Sequence, residues 1–393
     1  MRHRCSFSVV CAVVVCLSAA LRAQATSPSS SIQVVYVLSG STVQTYDVDP
    51  QTGFPTQEGQ GVVLPGITNP ALLPSKNDHF LYMIGFDSQI REHLWVLATD
   101  STGVPQLPAI QEISLPGTGS FEINPNGRLA YAVETTSNSK GQMVAAIHKF
   151  AVNPTTGRVT RYPKAVAIDP PNGPCSSGAE FPGLGLIGFN SSGTQMYTQW
   201  ICPYHDNISG FYYSRTVNQK TGAVGPNVQL FSWDDGSQGT DLVHIAHSAL
   251  IYFNVPNPYN VGLASVKIYP PTGGTTPLFT CMAAMLEACG YGTYDWVDRS
   301  GNYIFIQISP TTTQITKLER QQKRIVDTGY YVSGIVWAFS PDDAVVYVED
   351  GQLSNPYIFY VYVFNPSTGG VMYTGGQISA PSAVEAVVTA LRQ

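Results

Sequence analysis

Charge is scarce in this chain. Asp, Glu, Lys and Arg make up 12% of its 393 residues, where roughly 25% is usual for a soluble domain. Apolar residues with a 3.6-residue period are missing outside the N-terminus, which excludes a helical domain. The common reaction boxes are missing too: there is no Ser-x-Asp-x-Gly-x-x-Trp, no His-Glu-x-x-His and no Gly-x-Ser-x-Gly. No paired Cys-x-x-Cys is present to hold zinc. Trp233-Asp234 is a single Trp-Asp dipeptide, and one copy defines no repeat.

What the chain does have is a spaced aromatic marker. Tyr36, Tyr82, Tyr131, Tyr197, Tyr252, Phe305 and Tyr347 each close the same pattern: an apolar residue, a turn of Pro, Asn, Ser or Gly, then a strand. The intervals are 46, 49, 66, 55, 53 and 42 residues. Four short antiparallel strands and their turns use roughly 40 to 50 residues, the length of a propeller blade. Ile123-Asn124-Pro125-Asn126-Gly127 leading to Tyr131 aligns without gaps to the runs from Phe189 to Tyr197, Val297 to Phe305 and Phe339 to Tyr347. These read as hairpins between the first two strands of a blade. A second element, Asp49 to Gly53, Asn153 to Gly157 and Asn365 to Gly369, reads as the turn from third to fourth strand. Looser copies occur at Asn218 to Gly222 and Tyr269 to Gly273, and the hairpins near Asp78 and Ser248 fall one residue out of register.

The expected fold is therefore all-β: a seven-bladed β-propeller of four-stranded antiparallel blades. The first copy, Val34 to Val37, lacks a preceding apolar strand, while Ala383 to Val388 is a spare strand at the other end. Ring closure by the C-terminal strand accounts for both. Residues 1–25 read as a signal peptide, with Arg2 and Arg4 before an apolar stretch from Val9 to Leu21 and Ala23-Gln24-Ala25 as the cleavage site. Residues 26–33 form a short linker and 34–393 the propeller. The expected product is secreted or periplasmic, with no membrane insertion after cleavage. Cleavage removes three arginines and no acid, taking 20 basic residues to 17 against 26 acidic ones, a net charge of −9. That balance disfavours nucleic acid as a partner.

Four cysteines remain after cleavage: Cys175, Cys202, Cys281 and Cys289. Arithmetic allows three pairings. Loops on a shared face favour Cys175 with Cys202 and Cys281 with Cys289, and a four-thiolate zinc site is the lesser reading.

Tight turns exit on one side of such a ring and long segments on the other, among them Gly85 to His93, Ile201 to Ser209, Phe231 to Thr240 and Cys281 to Thr293. Binding residues concentrate on such loops. Within the most expanded repeat, Tyr204 and His205 are the ligand-binding candidates, since an aromatic face beside short polar groups suits a sugar or peptide. Phe211 and Tyr213 share a strand face and pack inward. Glu122 and His244 occupy equivalent repeat positions, and Asp295, with Asp241 and Glu385, lies near an inner strand of another blade. These could ring a central channel, although hydrogen-bonded structural roles are the simpler reading. His244 and His247 fall on opposite strand faces and make a poor metal pair, and His148 reads as structural.

The run Asn69-Pro70-Ala71-Leu72-Leu73-Pro74-Ser75 before Phe80-Leu81-Tyr82, the Asn153 to Gly157 turn, and Phe339 to Asp343 with Tyr347-Val348 resemble the repeats of bacterial lactonase-like seven-bladed propellers. That group includes 6-phosphogluconolactonase and cycloisomerase-like enzymes and the YVTN repeat proteins. The resemblance implies their fold across nearly the whole mature chain. Their His-Pro-His and Arg-His motifs do not carry over: the corresponding stretches, Glu180 to Leu186 and Val332 to Trp337, hold neither His nor Arg. The expectation is a monomeric binding or interaction module without cofactor or metal, its partner a small molecule, glycan or protein. A divergent lactonase-like hydrolase is the alternative.

Overall fold

The computed structural model describes residues 32–50, 52–64, 66–76, 78–116, 120–137, 143–168, 183–204, 207–235, 242–245, 251–256, 264–269, 279–281, 295–309, 311–322, 324–350, 356–380 and 384–392. Every regular element among them is a β-strand.

The strands form antiparallel sheets in chain order. β1 (Ile32–Ser39), β2 (Thr42–Val48) and β3 (Pro55–Val63) share a sheet with the last strand, β29 (Val384–Arg392), in the order β29-β1-β2-β3. β4 (Thr68–Pro74), β5 (Phe80–Phe86), β6 (Glu92–Ala98) and β7 (Gln111–Ser114) form the next. β8 (Ser120–Ile123), β9 (Leu129–Ser137), β10 (Met143–Val152) and β11 (Val159–Arg161) follow, with β12 (Val166–Ile168) also paired to β10. Then come β13 (Gly183–Phe189), β14 (Gln195–Tyr204), β15 (Asn207–Val217) and β16 (Val224–Asp235). β17 (Leu242–Ile245), β18 (Ile251–Pro256), β19 (Ala264–Tyr269) and β20 (Phe279–Cys281) are described by backbone pairing alone. β21 (Asp295–Val297), β22 (Tyr303–Ser309), β23 (Thr312–Glu319) and β24 (Arg324–Ser333) precede β25 (Ile335–Phe339), β26 (Val345–Glu349), β27 (Tyr357–Asn365) and β28 (Gly370–Ala380).

Turn chemistry sets this pattern. In five first hairpins the fourth turn residue donates its N–H to the carbonyl of the first: Asp78 to Ser75, Gly127 to Asn124, Gly193 to Asn190, Gly301 to Asp298 and Asp343 to Ser340. That fourth residue sits in the left-handed region, which Gly and Asp tolerate. The Ser75 to Asp78 turn is thus in register with the others, correcting the expected one-residue offset. The third-to-fourth turns repeat as well, with Gly53, Gly157, Gly222 and Gly369 donating to Asp49, Asn153, Asn218 and Asn365. The looser sequence at Asn218 makes the same turn.

Strand alternation turns one face of each sheet toward each neighbour, and the cores lie between sheets rather than within one. Val35, Val37 and Tyr46 of the first sheet pack with Tyr347, Phe359 and Ile378 of the last. Tyr36 and Leu38 pack on the other side with Leu81 and Met83. Similar cores join β4–β7 to β8–β11, β8–β11 to β13–β16, and β21–β24 to β25–β28. Six marker aromatics, Tyr36, Tyr82, Tyr131, Tyr197, Phe305 and Tyr347, are buried; the side chain of Tyr252 lies outside the described residues. The innermost strands neighbour one another, β29 with β4, β8 with β13, β13 with β17, β17 with β21 and β25 with β29. This is an all-β propeller of four-stranded antiparallel blades.

Val384 to Val388, expected in the N-terminal sheet, pairs with β1 from Ser39 to Tyr36 and continues to Arg392 opposite Ile32. β1 starts at Ile32, so the linker expected through residue 33 gives up its last two residues, and Gln33 is fully buried. A larger correction concerns the segments expected as long loops. Ile201 to Tyr204 and Asn207 to Ser209 extend the β14–β15 hairpin, and β16 runs to Asp235. Gly85 to His93 is strand only at its two ends, Gly85-Phe86 and Glu92-His93, around a five-residue turn from Asp87 to Arg91. The alternation of Tyr, Trp, Phe and Ile through these stretches favours paired strands over irregular chain.

Candidate functional site

The end of β5, the start of β6, the edge strand β4 and the inner strand β8 line an open cavity of about 230 Å³. Its polar lining is Asn69, Ser120, Glu92 and Glu122, and its apolar wall includes Phe86 and Phe121. Local sequence explains the shape. A bulge between Thr68 and Ala71 carries Asn69 at φ 49°, a left-handed conformation uncommon outside Gly but best tolerated by Asn, and Pro70 follows. Gly85 leaves the room that lets Ile67 and the Thr68 carbonyl close over β5. The turn beyond is fixed by Asp87, which accepts N–H bonds from Gln89 and Arg91 and a bidentate pair from the Arg91 guanidinium at 2.9 and 2.6 Å. Those bonds hold the Asp87 carboxyl well below the usual carboxylate range. At the turn's tip Ile90 is 83% exposed with φ 60°, strained for a β-branched residue.

Two carboxylates face this space. Glu122, half-buried on β8, is pushed up to about 7 by burial. It can therefore hold or release a proton near neutrality. Glu92, only 6% exposed, has one oxygen, Oε1, sealed from solvent with no hydrogen-bond partner among the described residues. Among the described residues no Lys, Arg or His lines the cavity. The next residue, His93, lies on the opposite side of β6 by strand alternation. Its Nε2 is 3.2 Å from Asp87 Oδ2 and its Nδ1 3.0 Å from Glu112 Oε1, and its ring stacks on Trp95.

Of the residues singled out from sequence, Glu122 is the one the structure places in this cavity. Glu122, His244 and Asp295 sit on β8, β17 and β21. The side chains of His244 and Asp295 lie outside the described residues. Tyr204 ends β14 opposite Asn207 with its side chain outside the description, and His205 lies outside it entirely. Phe211 and Tyr213 pack into the core between β8–β11 and β13–β16, as read from sequence. Cys202 is fully buried and disulfide-bonded. Cys281 ends β20, and Cys175 and Cys289 lie outside the described residues.

His148 has a structural role. Its Nε2 is 2.6 Å from Glu134 and its Nδ1 is 2.7 Å from an Arg161 nitrogen. Arg can only donate, so Nδ1 accepts and Nε2–H donates to Glu134. Burial, with Arg161 beside it, lowers the imidazole pKa and keeps this neutral form. Sequence reasoning missed Glu92 and His93 because they fell within an expected loop. The signal was the alternation Glu92-His93-Leu94-Trp95-Val96, a strand with polar residues at its start.

No family model matches the chain, and no curated protein matches it. Solved structures do. A candidate 6-phosphogluconolactonase from Bacteroides uniformis superposes with a TM-score of 0.60 at 13% identity, over 91% of this chain and 99% of that one. A second, from Bacteroides fragilis, gives 0.57 at 15% identity over 93% and 99%. Prolyl oligopeptidase B from Galerina marginata gives 0.56 at 9% identity, over 87% of this chain and 48% of its own. At such identities the likeness is one of fold: a β-propeller with lactonase-like structural neighbours.

Proposed function

We propose that this chain is an exported, seven-bladed propeller that acts as a binding module through the face carrying the β5–β6 turn. The ring is closed by β29, whose pairing with β1 supports that reading, and its disulfides join Cys175 with Cys202 and Cys281 with Cys289. Residues 1–25 direct export and the mature protein works as a secreted or periplasmic monomer. Tyr204 ends β14 as Phe86 ends β5, and the proposal extends the binding face to Tyr204 and the following His205.

The observation that carries this reading is the composition of the cavity: two carboxylates, an Asn and a Ser against two Phe rings, with no cationic group among the described residues. Phosphate recognition and oxyanion stabilisation both need convergent donors, usually cationic for phosphate. Hydrolysis of 6-phosphogluconolactone by the purified mature protein should therefore be negligible. Turnover on the order of 10 per second would overturn the binding reading. The second reading is a divergent lactonase-like hydrolase acting on an uncharged lactone, favoured by the near-neutral proton of Glu122, which suits a general base. A lactone panel in which wild type hydrolyses one member and Glu122→Gln does not would establish it.

A further inference from the structure

The cavity between β4–β7 and β8–β11 has features that narrow its ligand. Glu92 carries a carboxylate that is 94% removed from solvent by its 6% exposure, with Oε1 unpartnered among the described residues. A buried carboxylate without hydrogen bonds costs several kcal/mol in general unless something pairs with it. Native proteins rarely leave such groups unsatisfied. Glu122, half-buried on β8, lines the same space.

We propose that this cavity binds a small organic ammonium ion, its charged head between Glu92 and Glu122 and its hydrocarbon body against Phe86 and Phe121. The proposal deepens the binding-module reading and rests on it. Three observations fix the class. Among the described residues the lining has acceptors but no cation of its own, so a positively charged ligand is attracted and an anion repelled. Asn69 and Ser120 add neutral oxygens that accept the remaining N–H bonds of an ammonium group. The Phe rings offer apolar area and negatively polarised faces, which favour an organic cation over a bare ion. A calcium ion would want about six to eight oxygens at close range, and among the described residues no three His, Cys, Asp or Glu side chains gather to hold a metal.

The test is calorimetric titration of the mature full-length protein with benzylammonium, benzyl alcohol, benzoate and calcium chloride, separately. Benzylammonium should bind saturably and the other three should not. Glu122→Gln and Glu92→Gln should each weaken it by roughly ten-fold or more while still melting cooperatively, the Glu92 variant at or above the wild-type temperature because a buried charge is removed. If Glu92→Gln does not fold, the half-buried Glu122 variant decides alone. Equal binding of benzyl alcohol, binding of calcium or benzoate instead, unchanged affinity in the variants, or no saturation by about 10 mM would each overturn the cation proposal. A parallel panel of glycans and cell-wall fragments separates the two levels. Binding there with no ammonium binding rejects the cation and keeps the binding module, whereas silence on both panels rejects both.

Discussion

Tyr36 and Tyr347 occupy the same place in their repeats and are both fully buried, yet their hydroxyls have different fates. Tyr36 donates to Asp78 Oδ1 at 2.6 Å, across the boundary between the first two sheets, and lies 2.9 Å from the Gly103 carbonyl. The Tyr347 hydroxyl has no hydrogen-bond partner among the described residues, and burial followed by nearby Asp342 raises its pKa. Removing a partner from a buried carboxylate costs about 2 kcal/mol, whereas removing an unsatisfied hydroxyl relieves a desolvation penalty. Tyr36→Phe should therefore lower unfolding free energy by about 2 kcal/mol, and Tyr347→Phe should leave it unchanged or raise it. Urea denaturation of both variants checks the pair, and equal losses would refute the assignment. Asp343 offers a pH test at the same scale. Burial, then the charge of Asp298, pushes its carboxyl up to about 7, against the opposing pull of Arg299, whose backbone N–H donates to it at 2.8 Å. Asp298, Arg299 and Asp342 are the charged groups around it. An acid whose pKa is higher folded than unfolded holds its proton longer in the native state. Its contribution is present below the ordinary Asp value and is lost as pH rises toward about 7. Asp343→Asn, which keeps an acceptor and tolerates φ 59°, should gain on wild type across that window. Melting curves at steps from pH 4 to 7 would show the gap widening; a constant gap would count against it.

At the level of elements, the turns were the most legible feature because Gly, Asn, Asp and Pro act locally. Asn124, Asn190, Asp298 and Ser340 each begin a hairpin in the place read for it, since the left-handed fourth residue and its N–H bond are properties of four residues alone. The recurring glycine that ends the third-to-fourth turn has a second reason to be there, invisible in sequence. A Cβ on Gly157 would fall within 2.5 Å of the Phe80 ring in the preceding sheet, and one on Gly222 would crowd Lys149 and Leu129. The turn of one sheet thus seats on the neighbour before it. Long connections were less legible. Ile201 to Ser209 and Gly85 to His93 looked irregular from their Pro, His and Asp, while Pro203 and His93 sit in cross-strand pairs with Ile208 and Gly85. The cavity was legible only in part for the same reason. Glu122 could be placed from its repeat position, but Glu92 meets it across two sheets, and the bulge at Asn69 that shapes the wall depends on pairing with β5.

For the molecule as a whole, the contacts that join the first and last sheets matter most. Gln33 donates to Asp342 at 3.0 Å, Tyr46 reaches the Ser379 carbonyl at 3.3 Å, and Thr389 donates to the Phe339 carbonyl at 2.7 Å. Around them the mixed core of Val35, Val37, Tyr46, Tyr347 and Phe359 also takes in Val384 of β29. β29 therefore serves three partners at once: it satisfies the backbone edge of β1, packs beside β4, and bonds to β25. Removing residues after Pro381 would strip that edge bare and open both flanking cores, where Val384 and Ala390 are buried. Folding is cooperative through such contacts, so the loss should take away most of the roughly 5–15 kcal/mol that holds a domain together. The truncated chain should melt many degrees lower or fail to show a cooperative transition, and it should aggregate through the exposed edge of β1. Supplying residues 384–392 as a separate peptide should restore part of the melting temperature, because the strand's contribution is pairing and packing rather than covalent connection. A truncated protein with the wild-type melting curve would show that β29 is dispensable and that the first sheet holds without it.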